Sequence, residues 1–167
     1  MNRQFINFSA PLISDDEIKE VVDSLKSGWI TSGPKVAEFE KRICDFCNAD
    51  YAAAMFSCTS ALFIALKALG VNEGDEVIVP TFTFASTAHV VVHCGATPVF
   101  VDINPQTLQM DIECVEAAVT SKTKAIIPVH YGGNPVDMDK LFNIAKKNNL
   151  LVVEDAAHAI GTKYKGR

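Results

Sequence analysis

From Tyr51 onward the chain alternates between short apolar runs and helix-period segments, and this rhythm limits the folds open to it. The apolar runs occupy residues 52–56, 76–80, 98–103, 124–130 and 150–154. Between them lie helical patterns over 61–69, 84–94, 112–119 and 137–148, the first two closed by Gly70 and Gly95. Val77-Ile78-Val79 and Leu151-Val152-Val153 show no polar alternation, as in strands whose sheet is covered by helices on both faces. The expectation is an α/β fold with a mostly parallel sheet. In such sheets, ligands gather at the carboxyl ends of the strands.

The stretch before Tyr51 reads as a separate helical segment, residues 1–50, ahead of the sheet-forming part, residues 51–167. Ser14-Asp15-Asp16-Glu17 has the form of a capping box, Ile18, Val21, Val22 and Leu25 follow at helical spacing, and Gly28 ends the run. Trp29-Ile30-Thr31-Ser32-Gly33-Pro34 is a loop by composition, and a second helix is expected to about Cys47. Cys44-Asp45-Phe46-Cys47 has the spacing of a redox or zinc half-site, but no second cysteine pair accompanies it. It falls in the amphipathic series Val36, Phe39, Ile43, Phe46, Cys47, so core-facing thiols are expected and no metal.

With 49% hydrophobic and 21% charged residues the composition is that of a soluble globular protein. No apolar run approaches the ~20 residues of a membrane span. Met1-Asn2-Arg3-Gln4 leads into no secretory apolar region, so the expected location is the cytoplasm. An odd count of five cysteines without an export signal argues against a disulfide framework. The net charge of −5 is spread over interspersed acids and bases, which argues against a nucleic-acid groove, a site that usually needs a basic face.

Three strand ends carry unusual residues. Ser57-Cys58-Thr59-Ser60 enters an apolar helix and offers hydroxyl and N–H groups to an anion, or is an ordinary N-cap. Phe82 and Phe84 follow the run ending at Pro80, either as a floor for a flat ring or as the last core residues before a helix. Glu154-Asp155-Ala156-Ala157-His158 closes the last apolar run with two acids, which either cap the next segment or meet a cationic partner. His158 is placed to bond Asp155 or to face a ligand. Together these ends suit a flat, phosphate-bearing, protonated heterocycle. No glycine-rich dinucleotide or nucleotide-triphosphate pattern occurs.

The motifs Trp29-Ile30-Thr31-Ser32-Gly33-Pro34-Lys35, Gly74-Asp75-Glu76-Val77-Ile78-Val79-Pro80, Gly95-Ala96-Thr97-Pro98-Val99, Ile127-Pro128-Val129-His130-Tyr131-Gly132-Gly133 and Glu154-Asp155-Ala156-Ala157-His158-Ala159-Ile160-Gly161 run almost the length of the chain. In this order they resemble the sugar aminotransferases of the DegT/StrS type, which are fold-type-I enzymes dependent on pyridoxal 5′-phosphate (PLP). Within that family the pattern is most similar to the branch that aminates UDP-4-keto-arabinose in lipid A modification. The resemblance implies that the chain is an incomplete large domain of such a transferase, with PLP as cofactor. It implies that Thr59 and Ser60 bind the PLP phosphate, Phe84 stacks on the pyridine ring, Asp155 pairs with the ring nitrogen, and His158 lies against the ring or its hydroxyl side. Trp29 and Thr31 would lie near the substrate mouth.

The reaction so implied transfers an amino group from glutamate to a nucleotide-linked keto-sugar, in a homodimer. The family's Schiff-base lysine is expected beyond Arg167, so this chain holds no catalytic lysine and is expected to be inactive alone. Lys163 and Lys165 stand too close to Asp155 to serve. Two alternatives remain open at this stage: a sugar dehydratase of the same family, and a non-enzymatic ligand-binding regulator.

Overall fold

The computed structural model describes residues 11–166, so the opening Met1-Asn2-Arg3-Gln4 segment and the terminal Arg167 lie outside the described residues. The chain divides into two compact units that part between Ala54 and Met55.

The first unit contains α1 (Asp15–Ser27) and α2 (Pro34–Cys47). The capping box read from the sequence forms, with the Ser14 N–H donating to Glu17 Oε2 at 2.5 Å, and Gly28 closes α1. Neither helix buries a residue. The expectation of core-facing thiols therefore fails: Cys44 is only half-buried and Cys47 is exposed. Two helices of 13 and 14 residues present too little surface to close a core between themselves, so an apolar stripe alone does not bury a thiol.

The second unit holds the sheet. After α3 (Cys58–Ala68) come β1 (Glu76–Pro80), α4 (Ser86–His93), β2 (Thr97–Val101), α5 (Ile112–Ala118), β3 (Thr123–Ile126), a 3-10 turn (Tyr131–Gly133), α6 (Met138–Asn148) and β4 (Leu151–Val152). The strands lie in the order β2-β1-β3-β4, and every pairing is parallel. The expected α/β fold with a parallel sheet is thus present.

Alternation along the strands divides the core. Val77 and Val79 join Ala125, Ile127, Leu66 and Val90 on the face covered by α3 and α4. Ile78 and Ile126 point the other way, into the layer of Val115, Leu141 and Ile144 from α5 and α6. Val77, Ile78 and Val79 are all fully buried, which explains their unbroken apolar character. Burying a side chain such as Leu66 or Ile126 contributes on the order of 1.5–3 kcal/mol before chain entropy is subtracted.

Residues 52–56 form no strand. A strand exists through its ladder, and no described segment pairs with them; β-prone composition without a neighbour leaves extended backbone. The last strand is also shorter than its apolar run, reduced to Leu151–Val152. Beyond it the chain still touches its neighbour through an isolated bridge between Val129 and Asp155.

Order β2-β1-β3-β4 means that the chain steps from β1 to one side, then returns to lay β3 on the other. Connections diverge from β1 and β3 at that point, opening a crevice at their carboxyl ends.

Candidate functional site

Asp155 sits at this crevice, carried past β4 and held by two backbone bonds to the segment after β3. Its N–H donates to Pro128 O at 2.9 Å, and its carbonyl accepts the His130 N–H at 3.1 Å. Its side chain is nearly enclosed, with 6% of the residue exposed. Thr87 Oγ1 donates to Oδ2 at 2.9 Å. On the other oxygen, Oδ1, the Ala157 N–H lies at 3.3 Å and Cys58 Sγ at 3.6 Å. Three donors thus face one carboxylate, and among the described residues no lysine, arginine or histidine forms an ion pair with it. Burying a carboxylate without a cation is costly, so a positively charged donor from a ligand would fit this arrangement.

The neighbouring acid has a different task. Glu154 Oε2 lies 2.8 Å from His130 Nε2, while His130 Nδ1 accepts the Val136 N–H at 3.2 Å. Of the two acids that end the apolar run, only Asp155 turns inward.

The bonds to Asp155 tie together the elements that carry the other sequence candidates. Cys58 opens α3, next to Thr59 and Ser60. Ser57 is the N-cap of that helix: its hydroxyl accepts the Ser60 N–H at 3.2 Å, and Ser60 Oγ donates to Ser57 O at 2.7 Å. Ser57 is thus the cap of α3, and Ser60 is its capping-box partner. The first-turn N–H groups of Cys58 and Thr59 have no intrahelical acceptor, and they stand at the positive end of the helix dipole.

Thr87, in the first turn of α4, is linked by its N–H to Phe84 O at 3.1 Å. Because α4 starts only at Ser86, Phe84 stands in the loop before it, 78% exposed. A large aromatic ring left bare, three residues before the threonine that bonds Asp155, offers one face to a flat ligand. Phe82 is engaged elsewhere, tilted against Tyr131 with ring centroids 4.6 Å apart. Tyr131 in turn meets His158 edge-on at 5.7 Å. His158 Nδ1 accepts the Gly132 N–H at 3.4 Å, so the proton of the neutral ring sits on Nε2.

Trp29 and Thr31 belong to the first unit. There the Trp29 indole N–H donates to Ser32 O at 2.9 Å, and its ring occupies the space that a side chain at position 33 would need.

The Cys58 thiol is pushed up in pKa, chiefly by burial, then by the Asp155 charge and by its hydrogen bond to that carboxylate. It stays a neutral donor rather than a competing anion. A separate groove of about 1080 Å³ runs over the α5–α6 face, but lysines in its lining are already matched, Lys147 with Glu116 at 2.7 Å and Lys140 with Asp137 at 3.2 Å. The strand-end cluster, not this groove, has the chemistry of a binding site.

The model of the DegT/DnrJ/EryC1/StrS aminotransferase family matches residues 11–167. The chain belongs to that family. Its members use PLP, and the fold-type-I architecture described above is theirs. The spore coat polysaccharide biosynthesis protein SpsC of Bacillus subtilis is 53% identical over 163 residues, covering 98% of this chain and 42% of SpsC. The PLP-form of a putative sugar aminotransferase from Streptococcus pneumoniae superposes with a TM-score of 0.92 at 44% identity, over 97% of this chain and 45% of that one. DesV from S. venezuelae gives a TM-score of 0.85 at 41% identity, over 92% of this chain and 40% of its own. The chain therefore spans about two fifths of the length of the relatives it matches.

The residues present fit the group that the family uses. A ring N–H⁺ supplies the charge that Asp155 lacks, a phosphate suits the first turn of α3, and a pyridine ring suits the bare face of Phe84. Thr87 and Tyr131 were not singled out by the sequence as site residues; Thr83 and Thr87, spaced i, i+4 around the start of α4, were the signal available. No described helix is long and apolar enough to cross a membrane.

Proposed function

We propose that this chain forms the cofactor-holding part of a PLP-dependent aminotransferase that transfers an amino group from glutamate to a nucleotide-linked keto-sugar. The observation that carries the reading is Asp155: a carboxylate 6% exposed, met by three donors and, among the described residues, by no cation, at the switch point of a parallel sheet. When bound, PLP supplies an electron sink for the carbanion that forms as the amino group moves.

In this reading the chain's own residues bind and orient. Asp155 keeps the ring nitrogen protonated, Thr59 and Ser60 lie along the phosphate, and Phe84 covers one ring face. His158, with its Nε2 proton available, donates toward the ring's hydroxyl side. Trp29 and Thr31 border the substrate. Polysaccharide biosynthesis, named for SpsC, supports a sugar as acceptor. The working unit is a homodimer in the cytoplasm, and the domain that begins near residue 51 is completed by chain following Arg167.

The anchoring lysine lies in that remainder. Lys165 is engaged in an ion pair with Asp139 and lies over the Tyr164 ring at 5.3 Å, and Lys163 is exposed, which supports neither as the anchor. Borohydride reduction of the PLP-loaded intact protein, followed by peptide mapping, tests the proposal. The cofactor should be fixed to one lysine C-terminal to Arg167. Label on Lys163 or Lys165, or an intact protein that takes up no PLP, would overturn it.

A further inference from the structure

We infer that Thr87, backed by Thr83, is the positioning residue that aims the Asp155 carboxylate at the cofactor ring. This rests on the reading of Asp155 as the partner of the ring nitrogen. Thr87 is fully buried on α4, while Asp155 comes from the far end of β4, so their bond crosses between two elements distant in sequence. At 2.9 Å it is the shortest of the three contacts made to that carboxylate.

The direction of the bond is fixed by counting protons. A threonine hydroxyl has a single proton, and an ionised carboxylate only accepts. Thr87 therefore spends its proton on Asp155 Oδ2. Its oxygen is left to accept from Thr83 Oγ1, 2.7 Å away. The result is a one-way chain, Thr83 to Thr87 to Asp155, in which each donation strengthens the next.

Such a chain matters because of the geometry a ring N–H demands. A charge-assisted N–H···O bond is made at about 2.7–2.9 Å. Asp155 reaches its position through two side-chain torsions, and its other oxygen is held only by the longer contacts from Ala157 and Cys58. Without the Thr87 hydroxyl, rotation of the carboxylate carries an oxygen out of reach of the ring. The threonine methyl has a separate packing role in the core, which valine reproduces and serine does not.

The test uses PLP labelled at the ring nitrogen, bound to the intact protein and observed by nitrogen NMR, with PLP affinity measured by absorbance titration. The wild type and Thr87→Ser should show a protonated ring nitrogen. Thr87→Val should shift that resonance toward neutral pyridine and weaken PLP binding by roughly tenfold, the scale of a lost hydrogen bond to a charged group. Asp155→Asn is the reference. If it leaves the resonance unchanged, the reading of Asp155 itself fails, and the inference with it. If Asp155→Asn moves the resonance and Thr87→Val does not, the reading stands and Thr87 has no positioning role. A fall in Thr87→Ser equal to that in Thr87→Val would show that the effect follows any change of this buried side chain rather than loss of its hydroxyl, and would also overturn the inference. Should Thr87→Val not fold, Thr83→Val carries the test: a resonance displaced part-way supports the chain of donors, and one identical to wild type refutes it.

Discussion

His130 and Glu154 are joined at 2.8 Å across the ends of β3 and β4, and the same imidazole accepts the N–H of buried Val136 at 3.2 Å. With Nδ1 accepting, Nε2 carries the proton and donates to the carboxylate. The ring therefore locks the turn that leads into α6 onto the strand end that presents Asp155. Replacing His130 by Ala leaves the Val136 N–H buried without a partner, at a cost of about 1–3 kcal/mol. Glu154→Gln keeps an acceptor at a half-exposed position and should cost less than about 0.5 kcal/mol. Urea midpoints of the two variants, compared at equal slope, check this ordering.

Cys58 yields a pH prediction. Alkylation proceeds through the thiolate, and burial, the Asp155 charge and the bond to Asp155 all push the thiol's pKa up. At neutral pH it should react more slowly with iodoacetamide than the exposed Cys47, with a rate midpoint displaced to alkaline pH. Asp155→Asn should bring that midpoint down, though not fully, because burial is the largest cause and remains. The sign also bears on stability: the unfolded chain releases this proton first, so stability falls as pH rises from the ordinary thiol range through the raised value. Peptide-resolved alkylation rates across pH measure the shift, and an unshifted Asp155→Asn profile would count against the contact.

Local signals carried much of this structure into the sequence. The Ser14 capping box and the stop at Gly28 were legible because each is satisfied within a few residues of itself. The fully apolar Val77-Ile78-Val79 announced a strand covered on both faces, and two separate core layers now meet there. What misled was whatever depends on a neighbour. Residues 52–56 have strand-like composition but no ladder partner among the described residues, and no described residue covers the apolar stripe of α2 so as to bury Cys44 and Cys47. Asp155 stood out as an acid at the end of an apolar run, whereas Thr87 did not. A threonine among apolar helix residues reads as core filler until its contact with a residue 68 positions away is seen.

Phe82 and Phe84 are two residues apart and should respond oppositely to truncation. Phe82 packs on Tyr131 at 4.6 Å, so Phe82→Ala should lower stability by about 0.5–1.5 kcal/mol beyond the area it uncovers. Phe84, 78% exposed, should lose little stability on conversion to Ala but should bind PLP several-fold more weakly. Thermal melts and PLP titrations of both variants separate the roles. Equal PLP affinity in Phe84→Ala and wild type would remove Phe84 from the ring face.

Gly132 and Gly133 allow strain to be separated from crowding beside His158. Both are left-handed, at φ 62° and φ 80°, so an alanine at either position costs about 1–2 kcal/mol of backbone strain. A Cβ on Gly132 meets nothing within 4 Å, whereas one on Gly133 comes to 3.2 Å from His158 O and 3.4 Å from Thr162 Oγ1. Thr162 also donates to Gly133 O at 2.9 Å, so the two segments cannot separate without losing that bond. Gly132→Ala should therefore lower stability while leaving the His158 ring against Tyr131. Gly133→Ala should lower it further, displace the backbone carrying His158 and weaken PLP binding. The checks are urea unfolding, the His158 ring resonances and PLP titration on both variants. If the two alanines behave alike in all three, the approach of Gly133 to His158 does not constrain the site, and His158 is held by its bond to the Gly132 N–H and by the Tyr131 ring alone.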